Sequence, residues 1–346
     1  MTTLYKHEYI WLDGNTPQLL RSKTKISSDR LAKKDWNFDG SSTLQSGGDS
    51  ADLILRPVGQ VDNPLTKLGK LVLCEVYEQD GETPHSSNTR AVLRDILRSG
   101  GSDLNAQIGF EQEYTLFNQD KTQIHEWPER GFPGPQGPYY CGVGPAQIRG
   151  RELAEAHLQA CMDAGIRIYG MNAEVMMSQW EFQVGPRDVD GEFPNLLGIC
   201  DQLLLSRWLL FRLGEDFGIE PSLDVKPMKG DWNGAGLHTN FSTDDTRGEG
   251  GYEYIQSLIP VLESRHDRHI QKYGNNLHER LTGNHETCSI DEFKSGNSDR
   301  GASIRIPNHV AREGSGYFED RRPGADACPY DVARLLVEAC LEHTKG

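Results

Sequence analysis

The chain has no excess of positive charge, no cysteine framework and no long apolar run. Its 36 lysines and arginines are outnumbered by 51 aspartates and glutamates, for a formal charge of −15. That balance opposes non-specific binding to nucleic acid or to an anionic membrane and leaves small molecules as the expected partners. The seven cysteines, at 74, 141, 161, 200, 288, 328 and 340, are odd in number and scattered, and none forms a C-x-x-C pair. Neither a disulfide scaffold nor a zinc ribbon is expected from them, but rather the reduced thiols of a cytoplasmic protein. The first residues carry no apolar core of signal-peptide length, and the most apolar later stretch is broken by Arg207, so the expectation is a soluble protein without membrane contact.

Familiar phosphate-binding and hydrolytic signatures are missing too. Gly69-Lys70 is followed by Leu71 and lacks the earlier glycine of a P-loop, and Gly142-Val-Gly144 has Gln147 where a dinucleotide fingerprint needs glycine. His266-Asp-Arg-His269 has neither the glutamate nor the spacing of a zinc-protease helix, and no Gly-x-Ser-x-Gly elbow occurs.

What is present is long enough, at 346 residues, for one large or two unequal domains. Residues 4–12 alternate around Tyr5, Tyr9 and Trp11, Lys70 to Tyr77 reads as another strand, and Trp36 to Ser50 reads as a polar loop between them. A linker and cap, Thr83-Pro-His-Ser-Ser-Asn-Thr-Arg90, precedes a helical stripe of Val92, Leu93, Ile96 and Leu97 that stops at Gly100-Gly101. A boundary near residue 83 follows, with a small β-rich unit at 1–83 and a larger unit at 84–346. In the larger unit, Arg151 to Ala164 and Leu196 to Leu213 are predicted helices, and a helix from Tyr252 to Tyr273 is predicted to kink at Pro260. Residues 126–150 are rich in glycine and proline and too long for an ordinary connection, which suits a loop that serves a site.

The chemistry is concentrated in acids placed where acids are awkward. Glu111 and Glu113 stand two apart in a strand-like alternation flanked by Phe110 and Phe117, so both carboxylates share a face. Two carboxylates in one space repel each other unless a cation lies between them. Glu174 and Glu181 add two more in apolar surroundings. Any one of these acids, taken singly, is satisfied by a lysine, an arginine or solvent; four together favour a metal. In Gly236-Leu-His-Thr-Asn-Phe-Ser242, the residues His238, Asn240 and Ser242 face one way, and Tyr317, Glu319 and Arg321 share a face in the same manner. Arginines recur at 280, 300, 305, 321 and 322 in this acidic chain. Guanidinium forks suit phosphate and carboxylate, and arginines beside a metal nest are what phosphoryl transfer requires, although the same arginines would also serve simply to neutralise the acids.

Asn37-Phe-Asp-Gly-Ser-Ser-Thr43, Phe110-Glu-Gln-Glu-Tyr114, the 132–144 loop, Asn172-Ala-Glu-Val175, Trp232-Asn-Gly-Ala-Gly236, Ser303-Ile-Arg-Ile-Pro307 and Tyr317-Phe-Glu-Asp-Arg-Arg-Pro323 together resemble glutamine synthetases of the type II, eukaryotic-like form. The resemblance runs in family order from about Tyr9 to Pro323. It implies an α+β protein: a small β-grasp amino-terminal domain, then a larger catalytic domain with a curved antiparallel sheet flanked by helices. It also implies a homo-oligomer, a decamer of two pentameric rings, with active sites between subunits completed by Asp39 and Ser42 of a neighbour.

The same resemblance implies ligation of ammonia to L-glutamate with ATP, through a γ-glutamyl phosphate, by a glutamate–ammonia ligase. It implies that Glu111, His238 and Glu319 hold one metal and Glu113, Glu174 and Glu181 a second, with two or three Mg2+ or Mn2+ ions per site. Arg300 and Arg305 are implied at the ATP phosphates, with Pro186, Asn240, Ser242 and Tyr317 around the nucleoside. Arg280, Arg321, Trp232, Asn233 and Gly234 are implied at the glutamate, and Asp39, Tyr140 and Glu286 at the ammonium, with Glu286 closing as a flap. Asp231 departs from the asparagine usual in the family and alters the charge near the glutamate pocket. A ligase for another amine, a non-catalytic structural relative and a metal-dependent phosphatase are the competing readings; the complete ammonium set argues against the first and the intact ligand set against the second.

Overall fold

In the computed structural model, residues 2–48, 51–187 and 195–345 are described. The chain first builds a five-stranded sheet from β1 (Tyr5–Leu12), β2 (Leu20–Ser27), β3 (Trp36–Asp39), β4 (Asp52–Asp62) and β5 (Lys70–Tyr77), in the order β2-β1-β5-β4-β3. Its central pair, β1 and β5, is parallel and the other pairs are antiparallel. The expected polar loop from Trp36 therefore opens with a strand and a short 3₁₀ turn, Gly40–Thr43; Asp49 and Ser50, also within that expectation, lie outside the described residues. The turn forms because Asp39 accepts from the Ser41 N–H and hydroxyl and from the Ser42 hydroxyl, which satisfies the start of the turn.

The second sheet is larger. It contains β6 (Gln107–Asn118), β7 (Ile168–Ala173), β8 (Gln179–Val184), β9 (Ile219–Ser222), β10 (Leu237–Ser242), β11 (Ser295–Asn297), β12 (Ile304–Ile306) and β13 (Phe318–Asp320). The order is β11-β12-β13-β10-β6-β8-β7, with β9 also on β6. The α+β class expected from the resemblance is what the chain adopts, although the sheet is not wholly antiparallel, since β11 and β12 run parallel.

Helices pack against the strands. The principal ones are α1 (Thr89–Arg98), α2 (Arg151–Asp163), α3 (Leu196–Phe217), α4 (Gly251–Ser264), α5 (His266–Ile270) and α6 (Pro329–His343). Asn88 caps α1 by accepting from the Ala91 N–H at 3.0 Å, and Asn195 caps α3 through the Gly198 N–H at 2.8 Å. The helix predicted from Tyr252 to Tyr273 is two helices. Pro260 sits inside α4, and the break comes later, at Arg265. There the guanidinium leaves for Glu338 and Glu342 on α6, while the following turn brings His266 and His269 onto a buried Asp320–Arg322 pair, so tertiary partners outweigh the proline. Among the described residues, no helix is long and apolar enough to cross a membrane.

Arg207 explains how an apolar helix positions the acids. It is buried in α3 without a carboxylate partner among its hydrogen bonds, donating instead to Gln112 Oε1 at 2.7 Å and to the carbonyls of Ala327 and Ala325 at 3.0 and 2.9 Å. Burial pulls its pKa down to about 10. Gln112 lies between Glu111 and Glu113 and points to the opposite face by strand alternation. Its amide is clamped from behind, donating also to Ala325 O at 3.0 Å, so the two glutamates are aimed forward.

Candidate active site

The register of the second sheet lines the acids up in a row. Arg305 on β12 is opposite Glu319 on β13, Glu319 is opposite Asn240 on β10, His238 is opposite Glu111 on β6, and Glu113 is opposite Glu181 on β8. Cross-strand neighbours on one face lie within side-chain reach. Residues separated by more than 200 positions in the chain thus share one surface.

Two overlapping donor groups result. Glu111, His238 and Glu319 offer ligand atoms within 4.8 Å of one another, and so do Glu113, Glu181 and His238. Glu174 is not in the second group. It stands just past the end of β7, and its electrostatic neighbours include both Glu113 and Glu286. Burial raises Glu113 and pushes Glu181 well above the carboxylate range, with Glu111, Glu113 and Glu174 adding repulsion at Glu181. Burial also lifts Glu174 to about 8. His238 is driven the other way, well below its ordinary value, by burial and then by Arg321, so its ring is neutral and able to ligate. Buried carboxylates that repel one another beside a neutral imidazole fit a divalent ion bound mainly through oxygen.

Guanidinium groups rim the same surface. Arg305 pairs with Glu319 at 2.6 Å and Arg321 pairs with it at 2.5 Å. Arg280 is buried, with its side chain 3.1 Å from His238 Nε2 and donating to the Arg321 carbonyl at 3.1 Å. Burial lowers its pKa to about 10. Glu113 accepts from the Gly236 N–H at 2.5 Å. A Cβ at Gly236 would come within 2.3 Å of Arg280 Nη2 and 3.2 Å of His238 Nε2, so any larger residue there would have to displace the Arg280 guanidinium.

An open cleft of about 760 Å³ adjoins this surface and is lined by Pro186, Asn240, Ser242 and Tyr317, together with Gly109 and Tyr169. Four residues expected around a nucleoside are therefore together, and Asn240 ties the cleft to the acids by donating to Glu111 at 2.8 Å. On the other side, Arg300 pairs with Glu286 at 3.3 Å, and its pKa is raised first by Glu286 and also by Tyr140 and Glu174. Tyr140, Glu174, Glu286 and Arg300 thus form one cluster.

The 230–234 segment lies beside these groups. Trp232 packs on Trp127 with ring centroids 4.8 Å apart, Asn233 exchanges two hydrogen bonds with Gln136, and Gly234 accepts from Gln179 at 3.0 Å. Asp231 is fully exposed and lies 3.2 Å from His285 Nε2. Asp39 and Ser42 stand apart, exposed on the first sheet and hydrogen-bonded to each other at 2.7 Å.

The residue-by-residue reading missed several participants. Asn172 donates to Glu174 at 2.9 Å, and Gln183 donates to Asn172 at 2.8 Å and also to Glu181, so two amides brace two acids. Alternation along β8 was a usable signal for Gln183, which shares a face with Glu181. Gln136 and His285 gave no such signal.

Comparison with known proteins gives a match over residues 86–250 to the family described as "Glutamine synthetase, catalytic domain". A relative named "Glutamine synthetase, chloroplastic" from Chlamydomonas reinhardtii is 50% identical over 350 residues, covering 97% of this chain and 90% of that protein. Proteins named "Glutamine synthetase" from Emericella nidulans and Schizosaccharomyces pombe are each 48% identical, covering 96% and 97% of this chain and 91% and 92% of their own lengths.

Proposed function

The chain belongs to the glutamine synthetase family and makes glutamine from L-glutamate and ammonia with ATP and a divalent metal, and from that premise we propose how its side chains divide the work. The observation that carries the proposal is the row Arg305, Glu319, His238, Glu111 on adjacent strands, beside the cleft of Pro186, Asn240, Ser242 and Tyr317.

Glu111, His238 and Glu319 would hold one ion, and Glu113 and Glu181, with Glu174, a second; two or three Mg2+ or Mn2+ ions match these oxygen-rich donors. Bound there, the ions would offset charge on the phosphate oxygens. The nucleoside lies in the cleft, with Arg305 and Arg300 on the phosphates. Arg280 and Arg321, with Trp232, Asn233 and Gly234, orient glutamate, and Asp231 sets the charge at the rim of its pocket. The γ-carboxylate then attacks the terminal phosphorus of ATP, the bond to ADP breaks, and a γ-glutamyl phosphate forms. Ammonium, held by Tyr140, Glu286 and Asp39 of a neighbouring copy, gives a proton to a carboxylate. The freed lone pair attacks the acyl carbon and phosphate leaves. Ser42 fixes Asp39 for that task.

Residues 1–83 act in this reading as the unit offered to a neighbour and residues 84–346 as the catalytic unit, within a decamer of two pentameric rings in the cytoplasm. The exposed Asp39–Ser42 turn, presented by a different sheet from the metal row, supports the shared site. The test is phosphate release across a panel of acids and amines. L-Glutamate and ammonium are both required if the reading holds; preference for another amine overturns it, and phosphate release without any amine points to a phosphatase. Glu111→Ala abolishes turnover, and near-normal turnover refutes its ligand role.

A further inference from the structure

The flap tip is held by contacts that the roles above leave unused. His285 and Glu286 are consecutive non-glycine residues in left-handed backbone, with φ of +52° and +59°. Side chains with a Cβ avoid that region, and strain of this kind persists only where the surroundings impose it. The base of the flap is closed by a bridge between Thr282 and Ser289 and by the Ile290 N–H donating to Leu281 O at 2.9 Å. At the tip the two side chains reach to opposite sides. Glu286 pairs with Arg300 at 3.3 Å, while His285 lies 3.2 Å from Asp231 through Nε2 and 3.2 Å from Gln136 Nε2 through Nδ1.

The donor directions agree along this chain of groups. Gln136 Oε1 accepts from the Asn233 N–H at 2.8 Å and its Nε2 donates to Asn233 Oδ1 at 2.8 Å, which fixes the orientation of the amide. An amide nitrogen only donates, so His285 Nδ1 accepts and the ring proton sits on Nε2, the nitrogen 3.2 Å from the Asp231 carboxylate. Three segments meet here: the 126–150 loop, the 230–234 turn and the flap. Asp231 and His285 also wall an open cleft of about 730 Å³ shared with Lys226, Lys229 and Glu279.

We propose that Gln136, His285 and Asp231 form a latch that keeps the strained flap tip closed while the acyl phosphate exists, with His285 as the positioning residue for Glu286. The inference rests on the glutamine synthetase reading and deepens it. Without the latch the tip relaxes, Glu286 leaves Arg300, and water reaches the intermediate. The water oxygen attacks the acyl carbon, the bond to phosphate breaks, and glutamate and phosphate are released without an amide.

The test compares the unaltered protein with H285L, D231A and D231N as assembled enzymes, measuring phosphate and glutamine in the same reaction with ATP, magnesium, glutamate and ammonium. Glutamine and phosphate match for the unaltered protein. H285L and D231A release roughly threefold more phosphate than glutamine, whereas D231N, which keeps the side chain's size and a polar oxygen beside Nε2, stays near parity. Asp231 is fully exposed, so D231A remains informative even if H285L fails to fold. Parity in both H285L and D231A, with only a slower rate, overturns the latch. So does a raised KM for glutamate in both aspartate variants at parity, which would assign Asp231 to substrate charge alone. Absence of glutamine from the unaltered protein is the separate failure of the family reading, and the latch falls with it.

Discussion

Gly236 shows how closely single residues are fitted. Its N–H holds Glu113 and its missing side chain admits Arg280 and His238. Gly236→Ala is expected to lower kcat/KM by roughly 100-fold, because an ångström of displacement at a catalytic group costs about that much; steady-state kinetics that match the unaltered protein would show that the neighbours move aside freely. The acids themselves were readable in the sequence, because carboxylates at i and i+2 in an apolar alternation have few explanations. Asp231 was readable only as a change of charge. That it meets a histidine on the flap depends on loops whose geometry no local pattern encodes, as does the meeting of Gln136 and His285 across 149 positions.

Whole elements were readable where one face of a helix or strand is buried. The strand expected from Lys70 to Tyr77 spans those residues, and α2 ends at Asp163, one residue short of the predicted helix, with Gly165 in left-handed backbone just beyond it. The helix through Pro260 was misread because the decisive event, the departure of Arg265 toward α6, is tertiary. Arg207 was noted only as an interruption, yet it joins α3 to β6 and to the 325–327 segment. Arg207→Met keeps the volume but strands two buried acceptors, Gln112 Oε1 and Ala327 O, since Gln112 still donates to Ala325 O. The expected loss is about 3 kcal/mol of stability, read as a lower midpoint in urea denaturation, with turnover reduced because Gln112 no longer braces β6. An unchanged midpoint would mean that water replaces the guanidinium.

At the scale of the whole molecule, burial lowers the pKa of two interior histidines, His157 and His269. Burial holds His157 at about 4, with its Nε2 2.9 Å from the Ser206 carbonyl. The unfolded chain takes up that proton near pH 6.5 and the folded chain does not, so stability is complete above about 6.5 and declines toward 4 at up to about 1.4 kcal/mol per pH unit. Denaturation across this range should flatten in His157→Gln; an unchanged slope would place the titration elsewhere. The larger question is whether the acids on β13, β6 and β8, with His238 on β10, form a metal site, since nucleotide, glutamate and ammonium chemistry all depend on it. The direct measurement is calorimetric titration of chelator-treated protein with Mn2+, alongside Glu111→Gln and His238→Ala. Loss of a class of binding sites in both variants is the expected result. Binding of equal stoichiometry and affinity in all three proteins would contradict it.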